Sequence, residues 1–146
     1  MMGEPILIHA DDRGVATITL NRPDLRNAFD DNLITLLDDA IATLGADPEV
    51  RLSVLTGAGK AFSAGADINW MRSMIGSGKS ENQDDALRLA GLMARLDGVA
   101  KPTLARVNGP AIGGGVGLVA CCDIAVASTD ARFGLSEVRL GLVPAV

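Results

Sequence analysis

The feature that most constrains the fold of this chain is a run of glycines at a strand-to-helix junction. Gly113–Gly115 are three consecutive glycines, and residues 109–117 hold five glycines in nine positions. A strand-like segment, 103–107, precedes the run, and an apolar segment ending at Cys122 follows it. Glycine lets another group approach where a Cβ would collide, and a helix starting here leaves its first N–H groups free. A tight turn with close packing is the alternative, but this glycine density favours a site for an anion or a developing negative charge.

Hydrophobic periodicity predicts short strands that alternate with helices along the whole chain. The predicted strands are 6–9, 15–20, 50–56, 103–107 and 123–127. The predicted helices are 28–44, capped by Asn27, then 68–75, 81–96 and one from the glycine run to Cys122. Residues 11–14 predict a hairpin between the first two strands. At 146 residues the chain has the length of one domain, so we expect one α/β domain, 1–146, with crossover connections.

Charge and cysteine usage exclude several classes of protein. The net charge is −5 with a pI near 4.7 and no basic stripe, which argues against a nucleic-acid partner. No cluster of Lys and Arg lies beside an apolar anchor, and the first residues lack a signal-peptide core, so we expect no membrane partner. The adjacent Cys121 and Cys122 form no disulfide framework. We interpret them as buried small hydrophobic residues in a reducing compartment, and we expect a soluble cytoplasmic protein.

Three familiar catalytic or nucleotide-binding motifs lack residues that they require. The segment Gly57–Lys60 resembles part of a phosphate-binding loop, but Val54 and Ala61 occupy positions that the motif requires to be Gly and Ser or Thr. Leu118 stands where a dinucleotide fingerprint needs its last glycine. His9 is the only histidine and lies in the first predicted strand, which argues against a Ser-His-Asp triad, and we interpret it as a solvent-facing or structural residue. No group of residues has metal-ligand spacing, so no metal site is expected.

A second small-residue loop, Ser63–Asp67, also follows a predicted strand. Two backbone N–H groups that converge from separate loops are a common way to hold an oxyanion. Acid–base chemistry also needs a titratable side chain nearby, and Glu137 is a carboxylate among small and apolar residues. The alternative for Glu137 is an ordinary surface acid or an acid in the first turn of a helix.

Four sequence blocks, in this order and spacing, resemble the enoyl-CoA hydratase/isomerase (crotonase) superfamily. The blocks are 62–68, 101–103 with 108–115, 122–128, and Phe133, Gly134 and Glu137; the segments 20–23 and 27–28 resemble the N-terminal block of the same family. The resemblance extends over essentially the whole chain. It implies a crotonase-like spiral of ββα units that binds an acyl-CoA thioester, with coenzyme A entering as part of the substrate and no permanently bound cofactor.

The resemblance also implies roles for individual residues. The N–H groups of Ala66 and Gly114 would hold the thioester oxygen, and Glu137 would be the catalytic carboxylate. The residues implied to bind substrate are Arg26, Ala28, Ala64, Asp67, Ile68, Gly113 and Gly117. The implied activity is addition of water to an α,β-unsaturated acyl-CoA.

Two departures from the family pattern keep alternatives open. Gly117 stands where the two-glutamate hydratases have their first catalytic glutamate, so an isomerase that needs one carboxylate is the second hypothesis. A non-catalytic acyl-CoA binder or a truncated chain is the third. The segments 114–123 and 138–146 look similar to methylglutaconyl-CoA and carboxygeranoyl-CoA hydratase-like members, which suggests a branched or carboxylated acyl chain. Arg72, Arg139 and Lys79 are candidates to meet such a carboxylate.

The second departure is length. The chain ends nine residues after Glu137, whereas family members continue into a C-terminal helical region that covers the acyl site and supports trimers. We therefore expect that this chain lacks that region and has poor activity by itself. For the full-length protein the resemblance implies a homotrimer or hexamer.

Overall fold

The computed structural model of the protein describes residues 3–144 and contains seven strands and four α-helices within them. The strands are β1 (Ile6–Ala10), β2 (Val15–Leu20), β3 (Leu52–Gly57), β4 (Thr103–Val107), β5 (Ala111–Ile112), β6 (Ile124–Ala127) and β7 (Phe133–Gly134). The helices are α1 (Asp31–Ala46), α2 (Ile68–Ser73), α3 (Lys79–Gly98) and α4 (Gly114–Ala120), and 3-10 turns cover Pro23–Leu25 and Glu137–Leu140. The predicted α/β class is confirmed.

The larger of two sheets has the strand order β1-β2-β3-β4-β6. β1 and β2 form the predicted antiparallel hairpin, and the pairs from β2 to β6 are all parallel. In this register Ile18 lies opposite Leu55, and Leu55 lies opposite Ala105. All three side chains are buried, because residues that face each other across a sheet point to the same side. This row of side chains is the part of the hydrophobic core that the sheet contributes.

α1 and α3 pack together and bury their apolar faces in the core that contains this row of the sheet. The buried residues of α1 are Leu33, Ile34, Leu37, Ala40, Ile41 and Leu44. Those of α3 are Leu92, Met93 and Leu96. Both sets recur at helical spacing, which is why the periodicity predicted these two helices. Within residues 3–144, no helix combines the length and the apolar character needed to cross a bilayer.

The predicted start of α1 is wrong by one turn. The helix begins at Asp31, and the carboxylate of Asp30 accepts the Leu33 N–H at 2.9 Å as its cap. Asn27 cannot be the cap because its backbone is left-handed, with φ 55°, and its side chain is fully buried. The segment 26–30 is therefore an irregular loop with a different role, described below.

The C-terminal elements differ from prediction in their bounds. α4 ends at Ala120 rather than Cys122. β6 starts at Ile124 rather than Asp123, and the side chain of Asp123 binds Thr103 instead. Its carboxylate accepts the N–H and the hydroxyl of Thr103 at 2.7 and 2.8 Å, and these bonds lower the pKa of Asp123. The structure adds β5, β7 and the turn Glu137–Leu140, which periodicity did not predict because all three are too short to show a repeat.

The two cysteines are free and half-buried rather than fully buried. Burial raises the pKa of the Cys122 thiol to about 12, with a smaller opposing effect from a hydrogen bond with Thr103. A thiol in this state stays protonated at neutral pH and is a poor nucleophile. The cysteines therefore take no part in the candidate chemistry below.

Candidate active site

The two glycine-rich loops run side by side. The Ile112 N–H donates to the Ser63 carbonyl at 2.9 Å, and the Ser63 N–H donates to the Pro110 carbonyl at 3.2 Å. These bonds form an isolated parallel bridge between Ser63 and Ala111. As a result, the loop 63–67 is held directly against the start of the loop that carries the triple glycine.

Ala66 carries one of the two predicted oxyanion donors. It lies in a parallel bridge with Phe29, in which the Phe29 N–H donates to the Gly65 carbonyl and the Asp67 N–H donates to the Phe29 carbonyl, both at 2.9 Å. Because successive N–H groups of extended backbone point to opposite sides, the Ala66 N–H faces away from Phe29. It has no acceptor among residues 3–144.

Gly114 carries the other donor at the first position of α4, where N–H groups have no intrahelical partner. Its N–H likewise has no acceptor in the described part of the chain. A Cβ built on Gly65 would lie 3.1 Å from the Gly114 nitrogen and 2.7 Å from the Ile112 carbonyl oxygen. The absence of a Cβ at Gly65, which has φ 80°, therefore lets the loop that carries Ala66 lie against the start of α4.

Glu137 lies against the triple glycine. A Cβ built on Gly113 would lie 2.8 Å from Oε1 of Glu137. Oε2 of the same carboxylate is buried and has no hydrogen-bond partner among the described residues. β5 and β7 pair in parallel as the second, smaller sheet, and this pairing places Glu137 here. The Gly113 N–H donates to the Gly134 carbonyl at 2.8 Å and so holds the end of β7, three residues before Glu137, beside the loop.

The residues expected to bind substrate fall into two groups. One open groove is lined by Asp24, Leu25, Arg26, Ala28, Ala64, Ala66, Asp67, Ile68, Asn69 and Arg72. This groove brings together five of the seven expected binding residues and the Ala66 donor. Gly113 lies in the glycine loop beside Glu137, whereas Gly117 is buried in α4 one turn beyond Gly113 and is not among the residues that line the groove.

Asp67 lines this groove with its carboxylate already engaged. One oxygen accepts the Asn69 N–H at 2.9 Å and so caps α2, and the other lies 3.1 Å from the Arg22 guanidinium. Arg22 also donates to the Ala28 carbonyl at 2.7 Å and pairs with Asp30 at 3.0 Å. Arg22 thus ties the loop 26–30 to the loop that contains Ala66.

Two further buried residues, Asn27 and Ser63, support the site. The sequence predicted Asn27 only as a helix cap and Ser63 only as the start of a loop. The Asn27 amide donates to the Ala58 and Ala61 carbonyls, each at 2.9 Å. The Ser63 hydroxyl donates to the Asn27 carbonyl at 2.9 Å and accepts the Gly65 N–H at 3.1 Å. For Ser63 the sequence did carry a signal, because a short polar side chain stands between Phe62 and Ala64 in an apolar, small-residue segment. A polar group buried in such a segment needs a hydrogen-bond partner.

The profile of the enoyl-CoA hydratase/isomerase family matches residues 10–146. The chain belongs to this family. An enoyl-CoA hydratase from Shewanella pealeana, known from its crystal structure, has the same fold, with a TM-score of 0.93 and 42% identity over 97% of this chain. The crotonyl-CoA hydratase of Syntrophomonas wolfei is 36% identical over 145 residues, 99% of this chain. The short-chain-enoyl-CoA hydratase of Clostridium acetobutylicum is 41% identical over 131 residues, 89% of this chain.

This member of the enoyl-CoA hydratase/isomerase family spans about half the length of the relatives it matches. It covers 53% of the Shewanella chain, 54% of the Syntrophomonas protein and 49% of the Clostridium protein. The crotonase fold is therefore shown for the part present here. The activity and substrates of the whole protein belong to the proposals that follow.

Gly113→Ala tests the placement of Glu137. We expect a loss of about 1–2 kcal/mol in the free energy of unfolding, because Gly113 has φ 55° and its new Cβ would meet the Glu137 carboxylate. Urea denaturation measures this loss. The control is Gly91→Ala in α3, where a Cβ meets nothing within 4 Å and a gain of up to about 1 kcal/mol is expected. Equal stabilities for the Gly113 variant and the unsubstituted protein would contradict the described geometry.

Proposed function

We propose that this chain carries the thioester-binding and proton-transfer site of an enoyl-CoA hydratase-type enzyme. The observation that carries the proposal is a pair of N–H groups, from Ala66 and Gly114, that have no acceptor among the described residues and both lie next to Gly65. Two donors that converge on one point would match a carbonyl oxygen that gains negative charge. The Glu137 carboxylate beside Gly113 supplies a group that transfers a proton to or from a carbon next to that carbonyl.

Hydration of an α,β-unsaturated thioester needs both parts. As the oxygen of water bonds to C3 and its proton passes to Glu137, the C2=C3 electron pair moves toward the carbonyl and forms an enolate. The N–H groups of Ala66 and Gly114 stabilise the charge on the thioester oxygen. Glu137 then returns the proton to C2, so that the net change is addition of one water. Removing one donor from such a pair typically costs 10²–10³-fold in rate.

The groove beside Ala66 supports coenzyme A as the carrier of the acyl group. Arg26 and Arg72 line it, and neither forms an ion pair with another described residue. Lys60 lines an adjoining groove that shares Arg26 and Ala64. Ile68 is 64% exposed and offers an apolar surface. Cationic and apolar groups side by side suit a ligand with phosphates, an aromatic base and an aliphatic arm.

An isomerase is the second candidate, and the absence of a side chain at Gly117 favours it. One carboxylate suffices to take a proton from C2 of a 3-enoyl thioester and return it to C4, with the dienolate held by the same N–H groups. Asp67, the other carboxylate next to the donors, is held by Arg22. A binder without turnover remains the third hypothesis.

A branched or carboxylated acyl chain, a cytoplasmic location and a homotrimer or hexamer for the whole protein are proposals that rest on the family resemblance alone.

The decisive experiment is the infrared spectrum of a crotonyl-CoA labelled with ¹³C at its carbonyl and bound to this chain. We expect the carbonyl band to move to lower frequency on binding, because hydrogen bonds from Ala66 and Gly114 weaken the C=O bond. A band that stays at its solution frequency would contradict the proposed site. Incubation with 2-enoyl-CoA and 3-enoyl-CoA then separates the candidates: hydration supports the hydratase, and double-bond migration alone supports the isomerase. Binding without turnover supports the binder, and neither binding nor turnover supports a truncated chain that is inactive by itself.

The groove has its own test. Arg72→Gln is expected to weaken binding of coenzyme A by about tenfold, since it removes a charge-assisted contact with phosphate. Isothermal titration measures the dissociation constant. Arg51→Gln is the matched control, because Arg51 is exposed just before β3 and does not line the groove. Equal losses in the two variants would show only a general effect of net charge.

A further inference from the structure

Phe29 contacts both halves of the candidate oxyanion site. Its backbone N–H donates to the Gly65 carbonyl, and its carbonyl accepts the Asp67 N–H, both at 2.9 Å. These two bonds bracket Ala66 and set the direction of its N–H. Phe29 is 3% exposed, so both the backbone bridge and the ring are enclosed by protein.

The ring of the same residue supports the other donor. A Cβ built on Gly114 would lie 2.2 Å from Cζ of Phe29 and 3.0 and 3.3 Å from its two Cε atoms. These are the three nearest atoms to that position, and all belong to the outer half of the ring. The ring therefore packs against the Cα of Gly114 at the first residue of α4, with no space between them.

We propose that Phe29 is a positioning residue that sets the separation of the Ala66 and Gly114 N–H groups. Its backbone holds one donor and the length of its ring sets the position of the other. The inference rests on the proposed function, since it assigns to Phe29 the alignment of a pair that binds the thioester oxygen. A shorter side chain leaves space under Gly114, and the start of α4 then moves relative to Ala66.

Phe29→Leu tests this positioning role through the infrared carbonyl band of bound crotonyl-CoA, which a change in core packing alone does not shift. We expect the binding-induced shift of the ¹³C-carbonyl band of crotonyl-CoA to fall by about half or more, because the two donors no longer converge on one oxygen. The dissociation constant of coenzyme A itself is expected to change by less than about threefold, because the groove is intact. Phe29→Met, whose flexible unbranched side chain adapts to irregular space but lacks the flat ring, is the second variant if the leucine protein folds poorly, and the same fall in the band shift is expected.

Leu37→Ala is the matched control. Leu37 is 2% exposed on α1 and belongs to neither glycine-rich loop, and its truncation destabilises the same core. We expect a lower unfolding midpoint with an unchanged carbonyl shift. If Leu37→Ala reduces the band shift as much as Phe29→Leu does, the effect is loss of stability and the positioning role is wrong.

A double substitution tests the ring contact directly. Leucine lacks the Cε and Cζ atoms that a Cβ on Gly114 would meet. Gly114→Ala is therefore expected to be strongly destabilising in the unsubstituted protein and much less so in the Phe29→Leu variant. The combined variant, Phe29→Leu with Gly114→Ala, is also expected to regain part of the carbonyl shift, since the new methyl group fills the space under α4. Additive effects of the two substitutions would overturn the inference.

The outcomes separate the inference from the proposed function. If the unsubstituted protein binds crotonyl-CoA without a carbonyl shift, the proposed oxyanion site fails. If that protein shows the shift and Phe29→Leu shows the same shift, the site stands and the role of Phe29 fails.

Discussion

Glu137→Gln will lower the rate of proton transfer at C2 of a bound acyl-CoA by about 10²–10⁴-fold. Glutamine keeps the shape of the side chain and its place beside Gly113, but it cannot accept and return a proton. The measurement is exchange of the C2 hydrogens of a saturated acyl-CoA with deuterated water, followed by NMR. This reaction reports on enolate formation directly and needs neither hydration nor isomerisation to be complete.

Binding and folding are expected to be retained in this variant. One oxygen of Glu137 is buried without a partner in the described residues, so no ion pair is lost. Glu49→Gln is the matched control, because Glu49 is exposed and its side chain makes no hydrogen bond with a described residue. Exchange at the unsubstituted rate in Glu137→Gln would remove the catalytic role proposed for this residue.

Asn27→Ala will lower the free energy of unfolding by about 3 kcal/mol or more. The substitution removes the two bonds to the Ala58 and Ala61 carbonyls and the bond that the Arg22 N–H donates to the amide oxygen at 2.9 Å. It also places alanine at a left-handed backbone position, where asparagine is better tolerated. Urea denaturation of the two proteins measures the difference.

Asn32→Ala is the control for this prediction. Asn32 lies exposed in the first turn of α1, where alanine is a good helix former, and the expected change is within about 0.5 kcal/mol. Similar stabilities for the Asn27 and Asn32 variants would show that the buried amide network contributes little. A large loss for Asn27 alone would confirm that this network holds the segment 26–30 in place.

Much of the fold was predictable because its elements carry strong local patterns. The alternation of β2 and the apolar stripes of α1 and α3 place these elements in the right order, and residues 11–14 mark the hairpin. The predicted start of α1 was wrong because Asn27 and Asp30 are both residue types that cap helices well. Only the left-handed backbone at Asn27 and its buried partners decide between them.

The candidate site was predictable in part, through the glycines. Their density at a strand-to-helix junction indicated free N–H groups. The family resemblance implied Ala66 and Gly114 as the donors and Glu137 as the carboxylate. The supporting residues were not predictable in the same way. Arg22, Ser63 and Phe29 act through contacts with residues distant in sequence, and a hydrogen bond over such a distance leaves no periodic signal.

The sequence by itself determined the α/β class, the family and the identity of the two glycine-rich loops, because these follow from local spacing and residue type. The tertiary structure decided which groups meet. It places Gly65 against Gly114, the Glu137 carboxylate against Gly113, and the Phe29 ring under the start of α4. The physical reason is that close contacts between loops depend on the absence of a Cβ at particular positions and on the strands that fix those loops. The triple glycine thus identified the loop and the family resemblance named Gly114 as a donor, whereas only packing places Gly114 beside Gly65.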